Sequence, residues 1–135
     1  MGFLGKKTNT GGVRRKAGTT LQRGQHAEDE ALAYLISAGM LLVERNYRTP
    51  GRGGGEIDLV MRERDGTLVF VEVRSRATAA FGGAAGSVGR VKQQRLVRAA
   101  QYFLMRWSSP PACRFDVISI EDGSLQWLRA AFDAG

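Results

Sequence analysis

Residues 56–76 read EIDLVMRERDGTLVFVEVRSR, two largely apolar segments joined by a short polar one. EIDLVM and TLVFVEVRSR have the composition of β-strands, and RERDG between them is a typical turn sequence, so the segment predicts a β-hairpin. In the second strand, alternation places Glu72, Arg74 and Arg76 on one face behind Phe70. A run of charge on a face that begins with phenylalanine needs a chemical explanation.

The length of the turn determines which side chains share a face. A two-residue loop would pair Asp58 with Val73 and place the carboxylates on opposite faces. A three-residue loop, residues 64–66, suits a type I turn followed by a left-handed glycine, and it puts Asp58 directly opposite Glu72. We expect the three-residue loop. The side chains that it gathers on one face are Glu56, Asp58, Glu72 and Arg74.

Two carboxylates that face each other on a sheet repel, and a low dielectric strengthens the repulsion. Solvent, protonation or a cation can relieve it. Mg²⁺ is commonly held by one or two carboxylates together with water and substrate phosphates, and Asp58 and Glu72 fit that description. The alternative is a solvated sheet face on which Glu56 and Arg74 form a cross-strand ion pair.

The rest of the chain predicts helices and further strands. Helical spacing indicates a first helix over residues 21–38, with Gly39 just after its end, and a second over residues 88–107, whereas residues 40–48 and 113–120 have the pattern of strands. The apolar line of the first helix is Leu32, Leu35 and Ile36, and that of the second is Leu96, Ala99, Ala100, Phe103, Leu104 and Trp107. Residues 124–132 fit either a strand or a helix. The order α-β-β-β-α-β predicts an α/β (α+β) fold, a mixed central sheet with flanking helices.

Two charged side chains fall on predicted packing faces. Glu28 is in line with Leu32 on the first helix, whereas Asp29 can face solvent. An inward acid needs a partner or a metal because isolated burial is costly, although an acid near a helix N-terminus is also favoured by the helix dipole. Lys92 is in line with Leu96 on the second helix. It either extends its amine to solvent or reaches a bound phosphate.

The composition is that of one globular domain. The chain has 135 residues, of which 43% are hydrophobic, with a single cysteine and a single histidine. These counts exclude an internal disulfide and a cysteine- or histidine-rich metal site within one chain. Residues 1–20 are predicted to be a disordered basic tail and residues 21–135 a folded domain. Neither a membrane span nor a signal peptide is evident, so we expect a cytoplasmic protein without membrane contact.

The positive charge is concentrated in two segments. Of the net charge of +7, residues 1–20 supply +5, and residues 73–115 contain eight Lys or Arg and no Asp or Glu. This indicates a polyanion such as nucleic acid, and the alternative is a basic surface balanced by acids elsewhere in the fold. The candidate nucleic-acid-binding residues are Arg76, Arg90, Lys92, Arg95 and Arg98.

Several motifs together resemble the YraN-like family of small bacterial proteins: AEDEALAYLISAG, RNYR, GGEIDLVM, VFVEVRSR and RFDVISI. The resemblance covers residues 22–130 and extends to the PD-(D/E)xK nuclease superfamily, including the archaeal Holliday-junction resolvases. It implies a restriction-endonuclease-like core in residues 21–135 and, by analogy with the resolvases, a homodimer.

The resemblance also implies a metal-dependent endonuclease acting on DNA, with branched or structured DNA as the expected substrate. The matching positions are Glu28 for the helix acid, Asp58 and Glu72 for the strand acids, and Arg74 for the lysine. The three acids would hold Mg²⁺ or Mn²⁺, and Arg74 would stabilise charge on the phosphorane.

Two departures from the superfamily pattern weaken the inference of efficient cleavage. Ile57 stands where the superfamily has proline, and Arg74 stands in the lysine position, where arginine stays protonated and cannot act readily as a base. One alternative is therefore a non-catalytic nucleic-acid-binding protein that retains the nuclease fold. Another is a protein-binding adaptor, which would show no salt-dependent affinity for DNA.

Overall fold

The computed structural model describes residues 20–51, 54–76 and 88–134, and their side chains from residue 24 onward except that of Arg76. The predicted basic tail, residues 1–20, lies outside this range apart from its last residue. The elements in chain order are α1 (Thr20–Ser37), β1 (Leu41–Arg48), β2 (Glu56–Arg62), β3 (Leu68–Arg76), α2 (Arg90–Leu104), β4 (Cys113–Glu121) and β5 (Ser124–Phe132).

The β2–β3 hairpin has the predicted three-residue loop. The N–H of Glu63 donates to the carbonyl of Thr67 at 2.9 Å, and Gly66 has the left-handed φ of 96° that this turn requires. The ladder runs from Arg62 opposite Leu68 to Leu59 opposite Val71. Continued by one position, this register places Asp58 opposite Glu72, as predicted.

The sheet has the order β1-β2-β3-β4-β5. Neighbouring strands are antiparallel except for β3 and β4, which are parallel because α2 lies between them in the chain and returns it to the same end of the sheet. The mixed sheet confirms the predicted fold class. Residues 124–132, which the sequence left open, form the edge strand β5 because they pair with β4.

The two helices cover opposite faces of the sheet. Alternation along β3 sends Phe70 toward Phe103 of α2, and Val71 into the core that contains Leu35 of α1. The hairpin thus lies between two hydrophobic cores. Side chains of α1 and of α2 can therefore both come close to the charged residues of the hairpin.

The packing of α1 differs in detail from the predicted apolar line. Ala27, Ala31 and Leu35 are buried, whereas Ile36 is exposed. The alanines are small and permit close approach to the sheet, which turns the helix so that Ile36 faces away. The predicted helix end is confirmed, since Gly39 has a φ of 99° and the N–H of the following residue donates to the carbonyl of Leu35 at 3.1 Å.

The α2 helix ends at Leu104, three residues earlier than predicted. Its buried side chains are Leu96, Ala99, Ala100 and Phe103, on the predicted apolar line. Among the residues that the structure describes, no helix is both long and apolar enough to cross a membrane.

A buried ionic cluster connects β4 with β5. Asp116 accepts hydrogen bonds from Arg114 Nε, Trp127 Nε1 and the backbone N–H of Ala130, each at 2.9 Å. Arg114 also forms an ion pair with Glu63 at the hairpin turn. The cluster satisfies a buried carboxylate with neighbouring donors, as a structural ion pair requires.

Candidate active site

Asp58 lies where β2 and β3 separate. The backbone ladder reaches Leu59 opposite Val71, and the same register would bring Val73 opposite Ile57 two positions further on. The N–H of Val73 instead donates to Oδ2 of Asp58 at 2.8 Å. The carboxylate therefore takes the place of a backbone acceptor and is held between the two strands.

The electrostatic environment of Asp58 disfavours its charge. Burial and the negative charge of Glu72 raise the pKa of Asp58 to about 8; Glu28 adds to the rise, and the hydrogen bond from Val73 opposes it. A carboxyl group with such a pKa carries a proton at neutral pH. The two facing carboxyls therefore form a site with a deficit of positive charge.

Glu72 is paired with a lysine from α2. Lys92 Nζ lies 2.7 Å from Oε2 of Glu72, whose side chain is 6% exposed, against 58% for Lys92. Partial burial acts to lower the pKa of Lys92, but the hydrogen bond and charge of Glu72 outweigh it and the pKa is raised. The sequence had suggested solvent or a phosphate for this ammonium group; the structure places it on an acid of the hairpin.

Glu28 faces inward, as predicted. Its side chain is 15% exposed and that of Asp29 64%. Asn46 Nδ2 donates to both carboxylate oxygens of Glu28, at 3.0 and 3.2 Å, and Arg45 Nη2 lies 3.4 Å from one of them. The partners that burial requires are therefore side chains of β1.

Asn46 also connects Glu28 to the hairpin. Its Nδ2 lies 3.4 Å from Oε2 of Glu56, which forms an ion pair with Arg48 at 3.7 Å. Asn46 has a φ of 51°, which asparagine tolerates better than most residues. Neither Asn46 nor Arg48 was a predicted site residue. The signal in the sequence was an asparagine inside a strand, where that residue is uncommon.

The acids do not form a three-ligand metal cage in this conformation. Within residues 20–51, 54–76 and 88–134, no group of three His, Cys, Asp or Glu side chains is placed to hold a metal ion. Asp58 and Glu72 remain as a facing pair, and Glu28 is joined to the site through Asn46. Two carboxylates still fit Mg²⁺ or Mn²⁺, which commonly keep several water ligands.

An open cleft of about 580 Å³ lies over these residues. Charged side chains of both signs line it: Glu56, Asp58, Glu72, Arg48, Lys92 and Arg95. Gly55 brings the preceding loop against α2, since a Cβ at this position would lie 2.5 Å from the carbonyl oxygen of Arg95. The cleft is thus bounded by the end of the hairpin on one side and by α2 on the other.

The predicted nucleic-acid-binding residues divide into groups. Lys92 and Arg95 line the cleft that contains Asp58 and Glu72. Arg90 and Arg98 line a separate depression of about 780 Å³ on another side of α2. The helical period separates these pairs. The side chain of Arg76 lies outside the described part of the structure.

Arg74, the predicted counterpart of the catalytic lysine, is half-buried on β3 opposite Ser119. Alternation places it on the same face as Glu72. Among the described residues that line the cleft, the cations are Arg48, Lys92 and Arg95, and Arg74 is not one of the lining residues.

In the described part of the chain, a five-stranded mixed sheet between two helices, with facing carboxyls where two strands separate, defines an α+β protein with a cleft lined by charges of both signs. The chain matches the family described as "Uncharacterised protein family UPF0102" over residues 27–120, and it belongs to this family. The predicted YraN-like membership is confirmed. The matched segment includes Glu28, Asp58, Glu72 and Lys92.

Three relatives described as UPF0102 proteins match most of this chain and most of their own length. The chain is 66% identical over 134 residues to a "UPF0102 protein" of Acidovorax sp. (strain JS42), covering 99% of each chain. It is 61% identical over 136 residues to a "UPF0102 protein" of Paracidovorax citrulli (strain AAC00-1), covering 100% of each chain. A "UPF0102 protein" of Cupriavidus metallidurans is 53% identical over 121 residues, with 90% of this chain and 88% of that protein covered.

Proposed function

We propose that this protein is a metal-dependent endonuclease that hydrolyses phosphodiester bonds of DNA. The observation that carries the proposal is the pair of facing carboxyls, Asp58 and Glu72, at the point where β2 and β3 separate. Burial and mutual repulsion raise the pKa of Asp58 to about 8. A divalent cation would relieve this repulsion more fully than a proton does, so the site favours Mg²⁺ or Mn²⁺.

The proposed roles of the chain's own groups follow from their positions. Asp58 and Glu72 are the metal ligands, and the N–H of Val73 keeps Asp58 between the strands. Asn46 holds Glu28 at the margin, where it can contribute through a bound water. The metal, when bound, would lower the pKa of a water nucleophile and neutralise the scissile phosphate. Arg74, on the same face of β3 as Glu72, would add positive potential toward the developing phosphorane charge.

The cations around the cleft support a nucleic-acid substrate. Arg48 and Arg95 line the same cleft as the two acids, so they can contact phosphates that flank a scissile bond. Arg90 and Arg98 can contact the DNA backbone farther away. Phosphate contacts position DNA without reading its sequence, so we expect recognition of a shape such as a branch or an end.

A second candidate is a DNA-binding protein without catalysis. It is favoured by arginine at position 74 and by the ion pair that already neutralises Glu72. Such a protein would bind DNA equally well in EDTA and after Asp58→Ala. The nuclease requires a divalent metal and both carboxylates.

The decisive experiment incubates the purified protein with Mn²⁺ and linear, flapped and four-way-branched DNAs. We expect cleavage that EDTA abolishes, and a loss of at least ~10³-fold in Asp58→Asn/Glu72→Gln, because both proposed metal ligands are removed. Asp29→Asn is the matched control, since Asp29 is an exposed acid on α1. Cleavage that persists undiminished in the double variant would come from a contaminant and would refute the proposal.

A further inference from the structure

Lys92 is the cation that the structure places directly against an acid of the proposed metal site. We propose that its ammonium group is an exchangeable counter-ion: it occupies the cation position beside Glu72 until a divalent metal displaces it, and it then faces the DNA phosphate. This inference rests on the proposed metal-dependent function. It assigns Lys92 two positions, one for the metal-free cleft and one for the loaded cleft.

The ion pair is asymmetric in a way that permits exchange. The Glu72 carboxylate is nearly buried in β3, whereas Lys92 reaches it from an exposed position on α2, with Nζ 2.7 Å from Oε2. A buried strand carboxylate has little freedom to move. A lysine has a flexible four-carbon stem, so displacement of its ammonium toward solvent needs only side-chain rotation.

The position of the ammonium group is also a position that a metal would take. Besides its hydrogen bond to Glu72, Lys92 is close enough to interact electrostatically with Glu56 and with Asp58 in its charged form. A divalent ion at this point would carry twice the charge of the ammonium group and would favour the charged form of Asp58. An ammonium group and a divalent ion held side by side on Glu72 would repel each other strongly, so metal binding favours displacement of Lys92.

The displaced ammonium remains at the cleft. Lys92 and Arg95 lie on one side of α2, and both line the same open cleft as the two carboxyls. A phosphodiester bound over the metal would meet this pair of cations. Lys92 would then supply, from a helix, the ammonium group that the hairpin motif lacks because position 74 is arginine.

The test measures Mn²⁺ binding without DNA, by titration calorimetry and by the electron paramagnetic resonance of free Mn²⁺. Lys92→Met should bind Mn²⁺ about tenfold more tightly than the wild type, the order expected when one competing charge-assisted hydrogen bond is removed. Lys92→Arg, which keeps a competing cation, should not tighten binding. Arg95→Met is the matched control from the same helix and cleft. It should change the affinity for Mn²⁺ by less than about threefold.

The outcomes separate this inference from the proposed function. Binding that is tighter in Lys92→Met, or visible only there, supports the inference. Equal or weaker binding in Lys92→Met, with the wild type binding, overturns the inference and leaves the nuclease proposal intact. If neither protein binds Mn²⁺, both are overturned. Melting temperatures measured in EDTA show that each variant is folded.

DNA affinity gives a second readout. With Ca²⁺ in place of Mn²⁺ to prevent cleavage, Lys92→Met should weaken DNA binding by about five- to tenfold, whereas in EDTA the loss should be smaller because Glu72 holds the wild-type ammonium. An equal loss in Ca²⁺ and EDTA would make Lys92 an ordinary phosphate contact, which contradicts the exchange.

Discussion

Two aspartates in the same sheet, the buried Asp116 and the half-buried Asp58, have opposite surroundings. Asp116 of β4 accepts hydrogen bonds from Arg114, Trp127 and the backbone of Ala130. Asp58 of β2 accepts one from the backbone of Val73 and faces a second acid, Glu72. The two carboxyl groups therefore differ in the charge and hydrogen-bonding groups of their neighbours.

The contrast separates a structural carboxylate from a reactive one. At Asp116, an arginine two residues away in the same strand supplies the opposite charge permanently, so the ion pair strengthens the fold. At Asp58, the chain places like charges together, and the pKa is raised to about 8. A site with unfavourable internal electrostatics is a candidate for function, because an external cation can relieve what the fold leaves unbalanced.

The largest expected effect on stability is at Asp116. Asp116→Ala would remove the acceptor of the Trp127 and Ala130 N–H groups and leave Glu63 as the partner of the half-buried Arg114, and we expect a loss of about 3–5 kcal/mol in the free energy of unfolding. Urea denaturation at pH 7 measures it. A loss below ~1 kcal/mol would show that the cluster is not a structural ion pair and would break the contrast with Asp58.

Removing the charge of Asp58 is expected to raise the free energy of unfolding, whereas removing that of Asp116 lowers it. Its pKa is raised from 3.8 to about 8, so the folded protein keeps a proton that the unfolded chain loses in this range. The free energy of unfolding should therefore fall as pH rises from 3.8 to about 8. Asp58→Asn has no charge to bury, and in EDTA it should exceed the wild type by about 2–4 kcal/mol at pH 8.

Denaturation series in EDTA from pH 4 to pH 8 provide the measurement. The difference in the free energy of unfolding between Asp58→Asn and the wild type should shrink toward pH 4. Near that pH the unfolded wild-type chain also begins to hold the proton. Added Mg²⁺ should stabilise the wild type alone. A variant that is less stable than the wild type throughout would mean that the Asp58 carboxylate is already balanced, like that of Asp116.

A smaller effect is expected at Asn46, which holds Glu28 at the edge of the cleft. Asn46→Ala removes the donor to Glu28 and forces alanine into a φ of 51°. We therefore expect the free energy of unfolding, measured by urea denaturation, to fall by about 1–2 kcal/mol. Asn46→Gly is the matched control because glycine tolerates this φ. If both variants are equally unstable, the hydrogen bond to Glu28 is responsible; if only alanine is, backbone strain is.

The hairpin shows what local sequence can determine. The polar segment between EIDLVM and TLVFVEVRSR, with a glycine at position 66, favoured a three-residue loop over a two-residue one, and the three-residue loop is the one that places Asp58 opposite Glu72. Helical periodicity likewise predicted that Glu28 faces inward and Asp29 outward. These predictions succeeded because each depends on a repeat or turn within one or two adjacent elements.

Periodicity and turn geometry could not predict which side chains pair with Glu72 and Glu28. The contact of Lys92 with Glu72 requires α2 to cross the sheet at one angle, and the contact of Asn46 with Glu28 joins β1 to α1. Residues 124–132 became a strand because an unpaired edge of β4 was available to them. The exposure of Ile36 followed from how closely α1 packs.

The sequence by itself therefore determined the order of elements, the register of the hairpin and the facing pair of acids. Only the tertiary structure decided which cation meets Glu72, which side chains hold Glu28 and how the arginines of α2 divide between two surfaces. The physical reason is range: backbone periodicity and turn geometry act between near neighbours in the chain, whereas ion pairs depend on the relative placement of elements that long-range packing sets.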